Sequence, residues 1–170
     1  MEFLEIAKKR YACRKYSDKK VEKEKLEKIL EAGRVAPTAA NLQPQKILIM
    51  QKKESLDKLG KGANIYNAPL AFVICSDKTK VWKRPFDGKD MADIDASIVT
   101  DHMMLEAASI GLNSVWICYF NPEIIKSEFN IPDNLEPINI LAIGYSDENR
   151  SAGHLDTRKP IEEISIFETF

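Results

Sequence analysis

The stretch 91–119, MADIDASIVTDHMMLEAASIGLNSVWICY, decides how the rest of the chain folds. Up to Gly111 it holds good helix formers with neither Pro nor Gly, and Ala96, Val99, Met103, Ala107 and Ile110 recur at spacings of three and four. Ile98, Leu105 and Ala108 widen that stripe, so the spacing predicts a helix covered on most of its sides. Gly111 suits the left-handed position after a helix, and Asn113-Ser114 turns the chain into SVWICYF, a β-branched and aromatic strand. A buried helix that feeds a buried strand is a scaffold core. Asp93 and Asp95 fall near the helix start, where capping and dipole complementation account for them, and His102 reads as a packed structural histidine.

Working outward, Glu2 to Lys8 predicts a short helix, and the pattern from Val21 predicts a surface helix with Leu26, Ile29, Leu30 and Gly33 inward, stopped by Pro37. Between them, KKRYACRKYSDKK is a polar connector whose basic residues are opposed only by Asp18. Strands are expected at Lys46 to Met50, at Asn67 to Cys75 (apolar at almost every position, hence covered on both faces) and at Pro137 to Tyr145. Short helices are expected at Ser55 to Leu59 and at Pro122 to Phe129, the second with Pro at its first position. Ser76 to Asp90 reads as an irregular charged loop, and Ser146 to Pro160 as a turn-rich one carrying Arg150, His154, Arg158 and Lys159. The tail alternates Ile161, Ile164 and Ile166 with acids and reads as an edge strand poised to pair with another subunit. Without regular βαβ spacing, the class is α+β rather than doubly wound.

A chain of 170 residues with 44% hydrophobic and 30% charged residues is sized for one domain with a substantial core. A net charge of −1 argues against a general nucleic-acid binder, and the local basic cluster points to a small anion. No apolar run reaches membrane-span length and the first residues lack a secretory apolar core, so no membrane partner is expected. Cys13, Cys75 and Cys118 are odd in number and widely spaced, which suits reduced thiols in the cytoplasm. Two histidines make a histidine-built metal site improbable, and no metal is expected. The dinucleotide glycine fingerprint, the P-loop and the nucleophile elbow are all absent. With no protein-borne catalytic group in view, a bound cofactor must carry any chemistry.

Four segments in order, KRYACRKYSD, APTAANLQPQ, the block from Asp95 to Ile117 and AIGY followed by TRKPIEE, resemble the FMN-dependent nitroreductase family in its short single-domain form. The likeness runs from about Phe3 to Glu163. It implies a nitroreductase-like α+β fold, a central mixed or antiparallel sheet flanked by helices, in one domain over 1–170. It further implies an intertwined homodimer with 161–170 packed on the partner, FMN bound at the subunit interface, and NADH or NADPH as electron donor. Nitroaromatics, quinones or related acceptors would be reduced by a ping-pong cycle. Arg10 and Arg14 match the family's first motif and would hold the flavin phosphate or pyrimidine edge, a task for which a planar guanidinium fork is suited. Tyr11 and Ala12 lie between them and depart from the family pattern, Ala12 by losing a hydroxyl. Pro37, Thr38, Ala39 and Asn41 match the loop that the partner lends to the flavin. Trp116, Ile117 and Cys118 match a strand end lying along the ring, with Cys118 replacing glycine. Arg158 and Lys159 match a basic pair that reaches the phosphate. An alternative that the departures keep open is a flavin carrier or sensor without nitroreductase turnover.

Overall fold

Strand β2 (Leu70–Asp77) is buried at every position and stands at the middle of the molecule. The computed structural model describes residues 2–148 and 155–170. Strands β1 (Gln45–Met50), β3 (Asn113–Ile117) and β4 (Leu135–Gly144) complete one sheet in the order β1-β2-β4-β3, with every neighbouring pair antiparallel. Helices α1 (Phe3–Lys9), α2 (Lys23–Val35), α3 (Lys53–Gly60), α4 (Ala92–Ser109), α5 (Pro122–Phe129) and α6 (Ile161–Ile164) surround it. This is the expected α+β architecture.

The period-two alternation of β2 divides the core. Leu70, Phe72 and Ile74 meet Val99 and Met103 of α4 and Ile29 of α2, while Ala71, Val73 and Cys75 meet Leu59 of α3 and Ile125 of α5. Each large side chain buried this way contributes about 1.5–3 kcal/mol. With a layer on both faces, β2 cannot show the polar alternation of a half-wet strand. Burial also pushes the Cys75 thiol pKa up to about 11, which leaves it an inert packing group. As the sequence predicts, α4 lies on the sheet with Ala96, Val99, Met103 and Ala107 buried, and Gly111 follows it at φ +79°.

The edge of β3 is closed by a strap. Ala12 forms a parallel bridge to Ser114, the only parallel element in an otherwise antiparallel sheet among the described residues. The Cys13 N–H donates to the Ser114 carbonyl (2.9 Å) and the Ser17 N–H to that of Tyr145 (2.8 Å). The Tyr16 hydroxyl lies 3.0 Å from the Cys13 carbonyl and 3.1 Å from that of Ala142, and burial pushes its pKa up, so it stays a donor. Gly144 makes room for this ring: a Cβ there would meet Pro69 Cδ at 2.7 Å and Tyr16 Cδ1 at 2.9 Å.

Several expectations change. The tail is no edge strand: Ile161–Ile164 form a helical turn, and Ile161, Ile164, Ile166, Phe167 and Phe170 are exposed. Its isoleucines are spaced three and then two, not strictly alternating, and Pro160 with Glu162 and Glu163 suits a helix start. The strand expected from Asn67 begins at Leu70, because Tyr66 and Asn67 have positive φ and Pro69 follows. Conversely, β4 starts earlier, at Leu135, with a register shift opposite Ile74/Cys75 that accommodates Pro137. In the 76–90 loop a bridge joins Lys83 to Asp90, Arg84 pairs with Asp87, and Phe86 is 96% exposed. Asp95 does not cap its helix, since α4 has Met91 at its N-cap with no side-chain bond there; Asp90 instead accepts from the Ala92 N–H at 3.2 Å. Residues 149–154, with Arg150 and His154, lie outside the described residues.

Candidate functional site

A cleft of about 480 Å³ opens between α1, the strap and α4, lined by Phe3, Ala7, Arg10, Ala12, Asp101, Met104, Leu105, Trp116 and Arg158. Each wall has a local cause. Helix α1 ends at Arg10, whose extended φ and ψ (−61°, 136°) turn the chain into the strap. The bridge to Ser114 fixes Ala12 beside β3, and the exposed Arg158 follows the short turn Leu155–Thr157. Two guanidiniums drawn from opposite ends of the chain thus meet in one cleft. Burial holds the Arg10 pKa below its ordinary value, the Arg158 cation lowers it further, and Asp101 opposes both. Two neighbouring arginines with one carboxylate among the described lining residues have the charge and fork geometry that suit an oxyanion.

The remaining predicted residues divide. Trp116 shares the cleft, and its indole N–H donates to Asn139 Oδ1 at 2.9 Å. Cys118, on the same side of β3, is exposed with Sγ 3.8 Å from that oxygen, while Ile117 faces the opposite core. Tyr11 is half-buried, and burial raises its phenol pKa. Arg14 leaves the cleft: its guanidinium sits over the Tyr66 ring, 5.9 Å from the centroid. Arg14 lies four steps of extended chain beyond Arg10, about 13 Å at strand rise, so the two arginines do not converge on one point. Lys159 does not line the cleft and faces Glu163 across 3.7 Å.

The loop Pro37–Asn41 stands elsewhere on the same chain. Asn41 and Pro37 are exposed, and the Ala39 N–H donates to Asp95 Oδ1 at 2.8 Å. Asp95 and Asp101 are six positions apart on α4, about 120° around and about 9 Å along a helix. The loop and the arginine cleft therefore sit on different faces of α4.

Sequence reasoning missed Asp95, Asp101, Tyr66 and Asn139. A signal existed for Asp95, which lies one turn before Val99 and so on the buried stripe. Asn139 is an interruption in the apolar run INILAIG that a strict strand reading passes over.

The family model described as the nitroreductase family matches residues 7–63 and 56–145 of this chain. The chain belongs to the nitroreductase family. A crystal structure of a nitroreductase family protein from Clostridium difficile 630 is 60% identical, with a TM-score of 0.96 and all of both chains covered. An FMN-dependent nitroreductase from Clostridium difficile R20291 is 34% identical, with a TM-score of 0.84, covering 98% of this chain and 99% of that one. A relative from Archaeoglobus fulgidus with a provisional NADH dehydrogenase/NAD(P)H nitroreductase name is 31% identical over 92% of each chain. This chain is accordingly a nitroreductase-type enzyme, an FMN-dependent oxidoreductase that draws on NAD(P)H. Among the described residues no helix is long and apolar enough to cross a membrane, and no group of His, Cys, Asp and Glu is placed to hold a metal.

Proposed function

We propose that this nitroreductase binds FMN with its phosphate between Arg10 and Arg158 and its ring toward Arg14 and the end of β3, and that it works as a homodimer. The observation that carries the reading is the convergence of Arg10 and Arg158 in one cleft that Asp101 also lines. A phosphate dianion fits that donor set, because two planar forks offer paired charge-assisted hydrogen bonds. When bound, the flavin supplies the redox chemistry, taking hydride from a reduced nicotinamide and passing electrons to a nitroaromatic, quinone or related acceptor that uses the same pocket in turn. The chain's part is binding and orientation. Tyr11 and Ala12 offer backbone groups between the two arginines, and Lys159 adds positive charge beside Arg158. Trp116, Ile117 and Cys118 bring β3 to the ring.

A second subunit supplies Pro37, Thr38, Ala39 and Asn41, which face away from the cleft of their own chain. Exposed Ile161, Phe167 and Phe170 favour a tail laid on that partner. Unpaired Cys13, Cys75 and Cys118 suit the cytoplasm. The test is visible absorbance of purified protein with added FMN, followed by NADH or NADPH oxidation with menadione or nitrofurazone. Flavin uptake with turnover, both weakened in Arg10→Ala, is the expected result. Protein that takes up no FMN defeats the reading; uptake without turnover leaves a flavin carrier or sensor.

A further inference from the structure

Resting on the flavin reading above, we infer that Asp95 is a positioning residue of the flavin site: its buried carboxylate holds the 37–41 loop in the shape in which that loop meets the cofactor. The loop is conformationally costly. Ala40 (φ 50°), Asn41 (φ 54°) and Gln43 (φ 50°) all occupy the left-handed region without being glycine, where the Cβ crowds the following carbonyl. Such a shape persists only if its surroundings impose it. Inside the loop the Asn41 N–H donates to the Thr38 carbonyl (2.9 Å) and the Leu42 N–H to the Ala39 carbonyl (3.2 Å), and two exposed side-chain bonds add to them: the Gln43 N–H donates to Thr38 Oγ1 (3.1 Å), and Gln43 Nε2 donates to the Asn41 carbonyl (3.2 Å). Among the side-chain bonds of the described residues, the one tying 37–41 to the body of the protein is that from the Ala39 N–H to Asp95 Oδ1, at 2.8 Å.

Helix stability does not explain this carboxylate. Asp93 stands exposed in the same first turn and complements the dipole without leaving water. Asp95 is 1% exposed, and its Oδ2 is buried with no partner among the described residues. A buried, half-satisfied carboxylate is a destabilising choice for a helix that needs only a dipole complement. What it provides is a fixed acceptor beneath Ala39, directly before the positive-φ pair Ala40-Asn41, so that the exposed Asn41 amide keeps one orientation. A site built in trans depends on such fixity, because the loop must arrive at the other subunit already shaped.

The experiment compares wild type, Asp95→Ala, Asp95→Asn and Arg10→Ala for FMN dissociation constant by flavin fluorescence quenching, and for visible circular dichroism of the bound flavin. Folding of each apo-protein is checked by far-ultraviolet circular dichroism. Asp95→Ala is expected to weaken FMN binding about 10-fold or more while staying folded, as befits loss of a bond to a charged acceptor. Asp95→Asn keeps an oxygen acceptor and is expected to stay within about 3-fold of wild type, with the native flavin spectrum. Should Asp95→Ala not fold, Ala39→Pro removes the same bond from the loop side and is held to the same expectation. A folded Asp95→Ala (or Ala39→Pro) that binds FMN like wild type, while Arg10→Ala binds weakly, overturns the role of Asp95 and leaves the flavin reading intact. Wild-type protein that takes up no FMN overturns both.

Discussion

Replacing Asn139 tests how the cleft is tied to the core. Asn139 is 3% exposed and joins three elements. Its Oδ1 accepts from the Trp116 indole at 2.9 Å, and its Nδ2 donates to Thr100 Oγ1 at 3.2 Å and to Ser97 Oγ at 3.4 Å. The amide orientation is dictated by its neighbours: an indole N–H can only donate, and Thr100 gives its own proton to the Ala96 carbonyl at 2.7 Å, leaving a lone pair. Asn139→Ala therefore strands a donor and an acceptor and opens a small void, a cost of about 2–3 kcal/mol. For a chain of this size that lowers Tm by about 5–10 °C. Asn139→Asp is the sharper probe, being nearly the same shape. It keeps the acceptor for Trp116 but sets a carboxylate oxygen against the Thr100 lone pair in a buried site. Its carboxyl should therefore have a raised pKa in the folded state, with the full penalty at pH 7. The penalty should shrink as pH falls through that raised value and vanish below the unfolded carboxylate pKa of about 3.9. The assay is thermal unfolding between pH 4 and 7, with Trp fluorescence as a second readout. An Asn139→Asp protein within about 1 °C of wild type at pH 7 would refute this network.

Three further outcomes are expected. Gly144→Ala drives a methyl into the Pro69 and Tyr16 rings, at 2.7 and 2.9 Å, and overpacking of this kind costs about 1–3 kcal/mol; an unchanged calorimetric Tm would contradict it. Hydrogen bonds from Thr79 and Asn134 hold the Asp77 carboxyl down at about 2, against an ordinary 3.8. Its stabilisation should thus be complete above about pH 4 and lost as pH falls through about 2, so the Tm gap between wild type and Asp77→Asn should close on acidification. Co-expressing Arg10→Ala with Asn41→Ala chains should leave about a quarter of all flavin sites at wild-type affinity if the loop acts in trans, and none if it serves its own cleft.

How much of this was legible depends on how local each cause is. The helix over 92–109 and the strand after it were readable because their apolar positions follow a single period and Gly111 ends the helix. Strand β2 was readable for a related reason, being apolar on both faces. The tail misled because three isoleucines set among acidic residues mimic an edge strand when no neighbour is known. Asp95 misled because the same residue type at a helix start serves either as a dipole complement or as a tie to a distant loop, and only burial separates the two. The pairing of Arg10 with Arg158 came from family resemblance, since no local pattern links a helix end near one terminus to a turn near the other. Arg14 was grouped with Arg10 by the family's first motif; the extended backbone of the strap carries its guanidinium over the Tyr66 ring.

The strap is where fold and function meet. Arg10 and Arg158 repel one another, and a chain that placed them together without restraint would let one side chain swing into water. Here the Arg10 end is fixed by backbone: Ala12 and Cys13 are held to Ser114 on β3, and Tyr16 bonds toward Ala142 on β4 through the gap that Gly144 leaves. The Arg10 end is thus anchored to a sheet that has core on both faces. On the proposed reading, an anion entering between the cations would relieve that repulsion, and phosphate affinity would draw on the packing of residues that never touch the ligand. Under that proposal Tyr16 and Gly144 would support the anion site through the strap, although neither would be found by searching for charge.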